Sequence, residues 1–309
     1  MGRWLELPMR FFTFLGQEEF FLFIMPALYW CVSPSLGLRT ALALLSSSAL
    51  NCALKISFHQ PRPYWIEPRV QALGAETSFG LPSNHAQNAA VIWGLLVRAW
   101  RKPWLTLVAV LLAFFIGFSR LYLGMHFLGD VLVGWLIGGL YLLLFIRLDR
   151  PVSDWLARQS LSRLLIAAAL TSLVIVLLAV IPGLALQSFP IPAEWAANAL
   201  AATPDDPIAP LSLDPGFTLG GVCLGKFAGA ALMFRKAGGF QAGGSPLKRF
   251  LRYLIGLAGV LLLWYGLGAI FPRTADLAGY LLRYLRYALI GLWIAFLAPL
   301  LFRRLRLSR

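Results

Sequence analysis

Charge is scarce in this chain. Only 13% of its 309 residues are charged, against roughly 25% in soluble domains, and 59% are hydrophobic, with a mean hydropathy of +0.75. That scarcity excludes an ordinary water-soluble globule and an intrinsically disordered chain alike. Acid is scarcer than base: 13 Asp and Glu stand against 27 Lys and Arg, for a net charge of +14. The surplus base does not gather on a polar domain. It sits between apolar runs, where orientation in a membrane accounts for it without a nucleic-acid partner. The three cysteines, Cys31, Cys52 and Cys223, lie in or beside apolar runs without metal-ligand spacing, which excludes a disulfide framework. Histidine is equally rare, at three, and no surplus Asp, Glu and His cluster offers a divalent site. Neither a metal nor another cofactor is expected.

Present instead are apolar blocks of the length that crosses a bilayer, about 20 residues each. They fall at roughly 18–34, 37–56, 84–100, 104–121, 126–146, 161–182, 216–234, 250–271 and 280–302. The expected fold class is all-α: a polytopic integral membrane helix bundle of about nine spans. Residues 1–17 read as an amphipathic interfacial segment, 18–146 as a membrane core, and 147–309 as additional helices with a long loop at 183–215. The loop stretch IPAEWAANALAATPDD suits a short surface helix. GWLIG and GKFAG fit close helix packing. Lys226, near the middle of a span, reads either as a headgroup or cavity contact or as a buried, snorkelling lysine.

Nine spans put the termini on opposite sides. Arg98, Arg101 and Lys102, Arg147 and Arg150, Arg235 and Lys236, and Arg303 to Arg306 all fall on the side of the C-terminus. Cytoplasmic loops are the ones enriched in Lys and Arg, so the C-terminus is expected in the cytoplasm and the N-terminus outside, in a bacterial inner membrane.

The rare ionisable residues then collect on the outer face. Lys55-Ile-Ser-Phe-His-Gln-Pro-Arg62-Pro63 follows the second span, Pro82-Ser83-Asn84-His85 opens the third, and Ser119-Arg120, His126 and Asp130 bridge the fourth and fifth. Singly, a lysine or arginine at a span end is usually an interface anchor, and a histidine there an interfacial polar residue. Together they place three cations, two histidines and a carboxylate at several helix ends on one face, as a membrane protein builds a site. Lys55, Arg62 and Arg120 offer positive charge, the arginines as planar forks suited to phosphoryl oxygens. Residues 82–85 begin a helix, whose free N–H groups and positive dipole end suit an anion. Ser83 adds a hydroxyl or caps the helix. His126 and Asp130, four apart, share one helix face. A carboxylate on one imidazole nitrogen leaves the other free to attack phosphorus. His85 fits a general acid and base. His59 belongs to none of these patterns.

The three segments resemble the signature of the type 2 phosphatidic acid phosphatase family, KxxxxxxRP, PSGH and SRxxxxxHxxxD. The first and third match at every specified position; the second carries Asn84 where glycine is usual. The resemblance covers about residues 18–146. It implies a metal-independent membrane lipid phosphatase in which His126 forms a covalent phosphohistidine. Lys55, Arg62, Ser83, Asn84 and Arg120 hold phosphate, His85 moves the proton and Asp130 orients the nucleophile. Implied substrates are lipid phosphates such as undecaprenyl diphosphate, phosphatidate or phosphatidylglycerophosphate, met in the membrane on its extracytoplasmic side. A phosphotransferase using the same phosphohistidine and a non-enzymatic lipid transporter or flippase stand as alternatives. The oligomeric state is not legible.

Overall fold

A computed structural model describes residues 3–308. The described residues form helices and loops. Seven helices are individually long and apolar enough to cross a membrane, and the bent pair Glu6–Phe14 and Glu18–Val32, which turns by 51°, brings the total to eight. The sequence pattern suggested about nine. The third expected span is α5 (Asn84–Trp100), whose 17 residues rise only about 25 Å and fall just short of a full crossing. The fifth starts at Leu128 as α7 (Leu128–Ala157), which leaves His126 in the turn before it.

The chain divides into two compact units. Of the described residues the first comprises 3–21, 47–146 and 178–212. It contains α1 (Glu6–Phe14), the C-terminal part of α3 (Pro34–Phe58), the single turn α4 (Pro63–Ile66), α5, α6 (Pro103–Tyr122) and the start of α7. The short helix α9 (Ala193–Ala202) completes it; this is the helix that the loop composition suggested. Met9, Tyr64, Trp65, Phe79, Leu123 and Met125 form one buried cluster of the unit. α1 is more than an interfacial segment: Phe12 stacks on Phe115 at 4.8 Å and Met9 is buried, while Trp4, Leu7 and Phe11 stay exposed.

Two devices fix the helices of this unit. A buried polar seam joins α3 to α5, since apolar surroundings make each unmet polar group costly. Ser47 Oγ donates to Asn88 Oδ1 (2.8 Å), Asn51 Nδ2 donates to Gln87 Oε1 (2.8 Å), and Gln87 Nε2 donates back to the Ser47 carbonyl (2.8 Å). The GWLIG glycines let α7 approach α5 closely: a Cβ at Gly134 would stand 2.7 Å from the Ser83 carbonyl oxygen, and one at Gly138 2.5 Å from that of Gln87.

The second unit comprises, of the described residues, 22–46, 147–177 and 213–308. It holds most of α2 (Glu18–Ala27) and of α8 (Leu161–Ala185), the π-helical turn Leu28–Val32, α10 (Asp214–Arg235), α11 (Pro246–Ile270), α12 (Leu277–Leu292) and α13 (Ala298–Arg304). α10 and α12 touch backbone to backbone through the GKFAG stretch, where a Cβ at Gly225 would overlap the Ala288 carbonyl. Tyr29, Trp30, Met233, Val260, Ile294 and Phe302 fill the core. Lys226 is buried on α10, with its ammonium 5.9 Å from the centre of the Tyr29 ring.

Candidate functional site

The polar residues of the three segments converge within the first unit. α3 delivers Lys55 in its last turn. Its ammonium, buried, donates to the Gly80 carbonyl at 3.1 Å and to that of Phe79. Pro63 opens α4, a position that suits proline because its missing N–H would be unpaired there anyway. That leaves Arg62 as the extended residue before the turn. The Arg62 guanidinium is nearly inaccessible, at 1%, and is held on every edge. Nε donates to the Ser78 carbonyl (2.6 Å), Nη1 to the Met125 carbonyl (3.0 Å), and Nη2 to the Phe79 carbonyl and to Ser78 Oγ (both 3.1 Å).

Ser83 caps α5 by accepting from the Ala86 N–H, and its own N–H donates to the Asp130 carbonyl at 3.0 Å. The start of α5 is thus pinned to the start of α7. Asn84 is turned along its own helix, where Oδ1 accepts from Asn88 Nδ2 at 2.9 Å. His85 is half-buried, packed against Gly16, and its Nε2 is buried without a hydrogen-bond partner. Arg120, in the last turn of α6, donates from Nη1 to Thr13 Oγ1 (2.5 Å). Its Nε is likewise buried and unpartnered.

His126 lies in the turn after α6, where its N–H and that of Met125 both bond the Arg120 carbonyl. Nδ1 is 3.1 Å from Asp130 Oδ2, an oxygen that also accepts from the Phe127 N–H at 3.0 Å. Nε2 is 3.1 Å from Arg62 Nη1. With Asp130 accepting at Nδ1 and a guanidinium donating at Nε2, the imidazole fits one tautomer, protonated on Nδ1 with its lone pair on Nε2. Burial, joined by the positive charges of Arg62, Lys55 and Arg120, pushes His126 well below the ordinary histidine value, so the ring is neutral at physiological pH. A neutral imidazole with an oriented carboxylate on one nitrogen is an activated nucleophile on the other.

Glu76 is the residue that spacing did not reveal. Its carboxylate bridges the two arginines, Oε1 on Arg120 Nη2 and Oε2 at 3.4 Å from Arg62 Nη2. Burial opposes its ionisation, but Arg62 and Arg120 together hold it down at about 2. Nothing in its spacing marked it: the polar stretch 57–83 carries two glutamates, Glu67 and Glu76, beside two arginines. Thr13 was also missed, since its segment was read only for amphipathicity. His59 is apart from this network: its ring packs on Phe189 at 4.6 Å, with Nδ1 3.0 Å from the Ser57 carbonyl. Among the described residues no three His, Cys, Asp or Glu side chains lie close enough together to hold a metal ion.

A buried histidine–carboxylate pair ringed by Lys and Arg at the ends of membrane helices defines a class of membrane protein that handles phosphate. The sequence pattern of the PAP2 superfamily matches residues 36–153, and that of the PAP2 superfamily phosphatase transmembrane extension matches 217–309. Phosphatidylglycerophosphatase B of Bacillus subtilis is 33% identical over 158 residues, which is 46% of this chain and 72% of that protein. The chain belongs to the PAP2 superfamily. Lipid A 4'-phosphatase of Bacteroides thetaiotaomicron is 46% identical over 61 residues, 20% of this chain and only 27% of that protein's length. Among solved structures, the transmembrane PAP2 type phosphatidylglycerolphosphate phosphatase from Bacillus subtilis matches with a TM-score of 0.42 and 29% identity, over 49% of this chain and 80% of that one.

Proposed function

We propose that the chain is an integral membrane lipid phosphatase that hydrolyses a phosphate monoester or diphosphate of a lipid through a phosphohistidine on His126. The observation that carries this reading is the state of the His126 ring, neutral and buried, with Nδ1 on Asp130 and Nε2 aimed at a guanidinium. In the first step Arg62 Nη1 passes its hydrogen bond from Nε2 to a phosphate oxygen, and the freed Nε2 lone pair forms a P–N bond as the P–O bond to the leaving group breaks. His85, which takes up a proton as the phosphate anion enters beside it, gives that proton to the departing oxygen. In the second, His85 removes a proton from water, the water oxygen attacks phosphorus, and the P–N bond breaks to restore His126.

Lys55, Arg62 and Arg120 carry the charge compensation, and the Asn84 N–H at the start of α5 adds a donor. Two buried atoms without partners, His85 Nε2 and Arg120 Nε, are the ones a bound phosphate and its leaving oxygen would satisfy. Asp130 keeps the tautomer and stabilises the imidazole as it gains charge. The relatives named above act on lipid phosphates by name, which favours a substrate whose tail stays in the bilayer: undecaprenyl diphosphate, phosphatidate or phosphatidylglycerophosphate. The bias of basic residues favours an outward-facing site in a bacterial inner membrane with a cytoplasmic C-terminus.

The test is phosphate release by purified protein in detergent with EDTA, across those lipids, beside His126→Ala. Release that survives EDTA and vanishes in the variant supports the reading. Release that requires added metal, or that persists in His126→Ala, overturns it. Transfer of the phosphate to a supplied acceptor lipid in preference to water assigns the same site to a phosphotransferase.

A further inference from the structure

Lys55, Arg62 and Arg120 all lean on a stretch of chain that has no regular structure of its own. Residues 76–80, between α4 and α5, form neither helix nor strand, yet all five of their carbonyls are bonded. Those of Ser78, Phe79 and Gly80 accept from Arg62 and Lys55, and the Glu76 carboxylate holds Arg120. The stretch also abuts the carboxylate beside His126, since a Cβ on Gly80 would stand 3.1 Å from Asp130 Oδ2. Ordering an irregular backbone is costly, so such a segment keeps one conformation only where other elements fix it.

The other two carbonyls show what does the fixing. That of Glu76 accepts from the Tyr64 hydroxyl of α4 at 2.9 Å, and that of Thr77 from the Ala209 N–H at 3.0 Å. Ala209 belongs to the loop 183–215, which grips the same region at two further places. Phe189 packs its ring 6.3 Å from that of Phe79 and 4.6 Å from that of His59. On α9, the half-buried Asn198 donates from Nδ2 to the Trp65 carbonyl at 2.9 Å, beside the packing of Trp195 on Trp65. Trp65 in turn closes α4, donating its N–H to the Arg62 carbonyl at 3.1 Å. The loop thus holds both α4, which carries Arg62, and residues 76–80, which accept from it. Guanidinium groups stabilise a transferring phosphate only where they are held in place beforehand.

We propose that Asn198 and Phe189 are positioning residues: through them the loop 183–215 fixes residues 76–80 and α4, and so sets Arg62 and Lys55 against His126 for phosphate transfer. The role in transfer rests on the phosphohistidine reading above; the fixing of the segment does not.

The experiment compares the purified full chain with Asn198→Ala, Asn198→Gln and Phe189→Ala by two readouts. One is hydrogen–deuterium exchange in the peptide covering 76–83, where the Gly80 and Ser83 N–H groups donate to the Gln60 and Asp130 carbonyls. The other is the kinetics of phosphate release from phosphatidate. Asn198→Ala and Phe189→Ala are each expected to speed exchange in that peptide about tenfold. Each is also expected to lower kcat about tenfold, with KM changed by less than about threefold. Asn198→Gln keeps the amide donor and is expected to restore most of kcat. A loop that merely covers the protein would lower the melting temperature and leave kcat of the folded enzyme unchanged. Native kcat in both Asn198→Ala and Phe189→Ala, or unchanged exchange at 76–83, therefore overturns the proposal. Native protein that releases no phosphate from any lipid overturns the phosphatase reading instead, and the exchange result alone then decides whether the loop fixes the segment.

Discussion

Asp130 Oδ2 sits 3.1 Å from His126 Nδ1 and simultaneously accepts the Phe127 N–H at 3.0 Å, so one oxygen fixes both the imidazole and the turn that carries it. Asp130→Asn keeps the shape but presents an amide where the ring needs an anion. The expected result is a fall in kcat on the order of a hundred- to ten-thousand-fold, with the circular dichroism spectrum unchanged. Activity within a few-fold of native would show that the carboxylate does not orient the ring.

Glu76 makes a pH-dependent contribution to stability. Its pKa is depressed to about 2 by the two arginines, so the stabilisation is fully present above the ordinary glutamate range, about 4.3. It is lost as pH falls from there toward about 2. Thermal unfolding of Glu76→Gln is expected below that of native protein at pH 7, with the gap closing as pH drops beneath about 4. A gap of constant size down to pH 3 would contradict the ion pairs.

Much of this was legible in the sequence, and the reason is geometric. Lys55, Ser83, Arg120 and Asp130 all stand at or within a turn or two of helix ends, and spacing along helices survives folding. The helical class followed from apolar block lengths. Glu76 and Thr13 were not legible. Their arginine contacts join positions 44 and 107 residues apart, made by a loop path and a helix dock that no periodicity encodes. The expected run at 84–100 is found with the same bounds, as a 17-residue helix; only its length, about 25 Å, falls short of a full crossing.

Asn84 replaces a glycine usual in the motif, yet its side chain bonds Asn88 along α5. Asn84→Gly is therefore expected to leave kcat/KM within about tenfold of native and to cost about 1 kcal/mol of stability. A large gain in activity would show that the amide obstructs the phosphate seat.

Gly134 lets α7 lie against the Ser83 carbonyl, and an added Cβ would sit 2.7 Å from that oxygen. Because the start of α5 is bonded to Asp130, Gly134→Ala is expected to lower the melting temperature, equivalent to about 1–3 kcal/mol of overpacking, and to reduce activity with it. A Gly134→Ala protein as stable and active as native would mean that α5 and α7 need no close approach.

The central claim is the covalent bond from His126 Nε2 to phosphorus. The direct measurement is a rapid quench after mixing the protein with a lipid carrying a radiolabelled phosphate, followed by mapping of the labelled peptide. The account predicts a label that is stable in alkali and lost in mild acid, as a phosphoramidate is. It should map to the peptide containing His126 and be absent in His126→Ala. Label on another residue, or turnover in His126→Ala at the native rate, would contradict it.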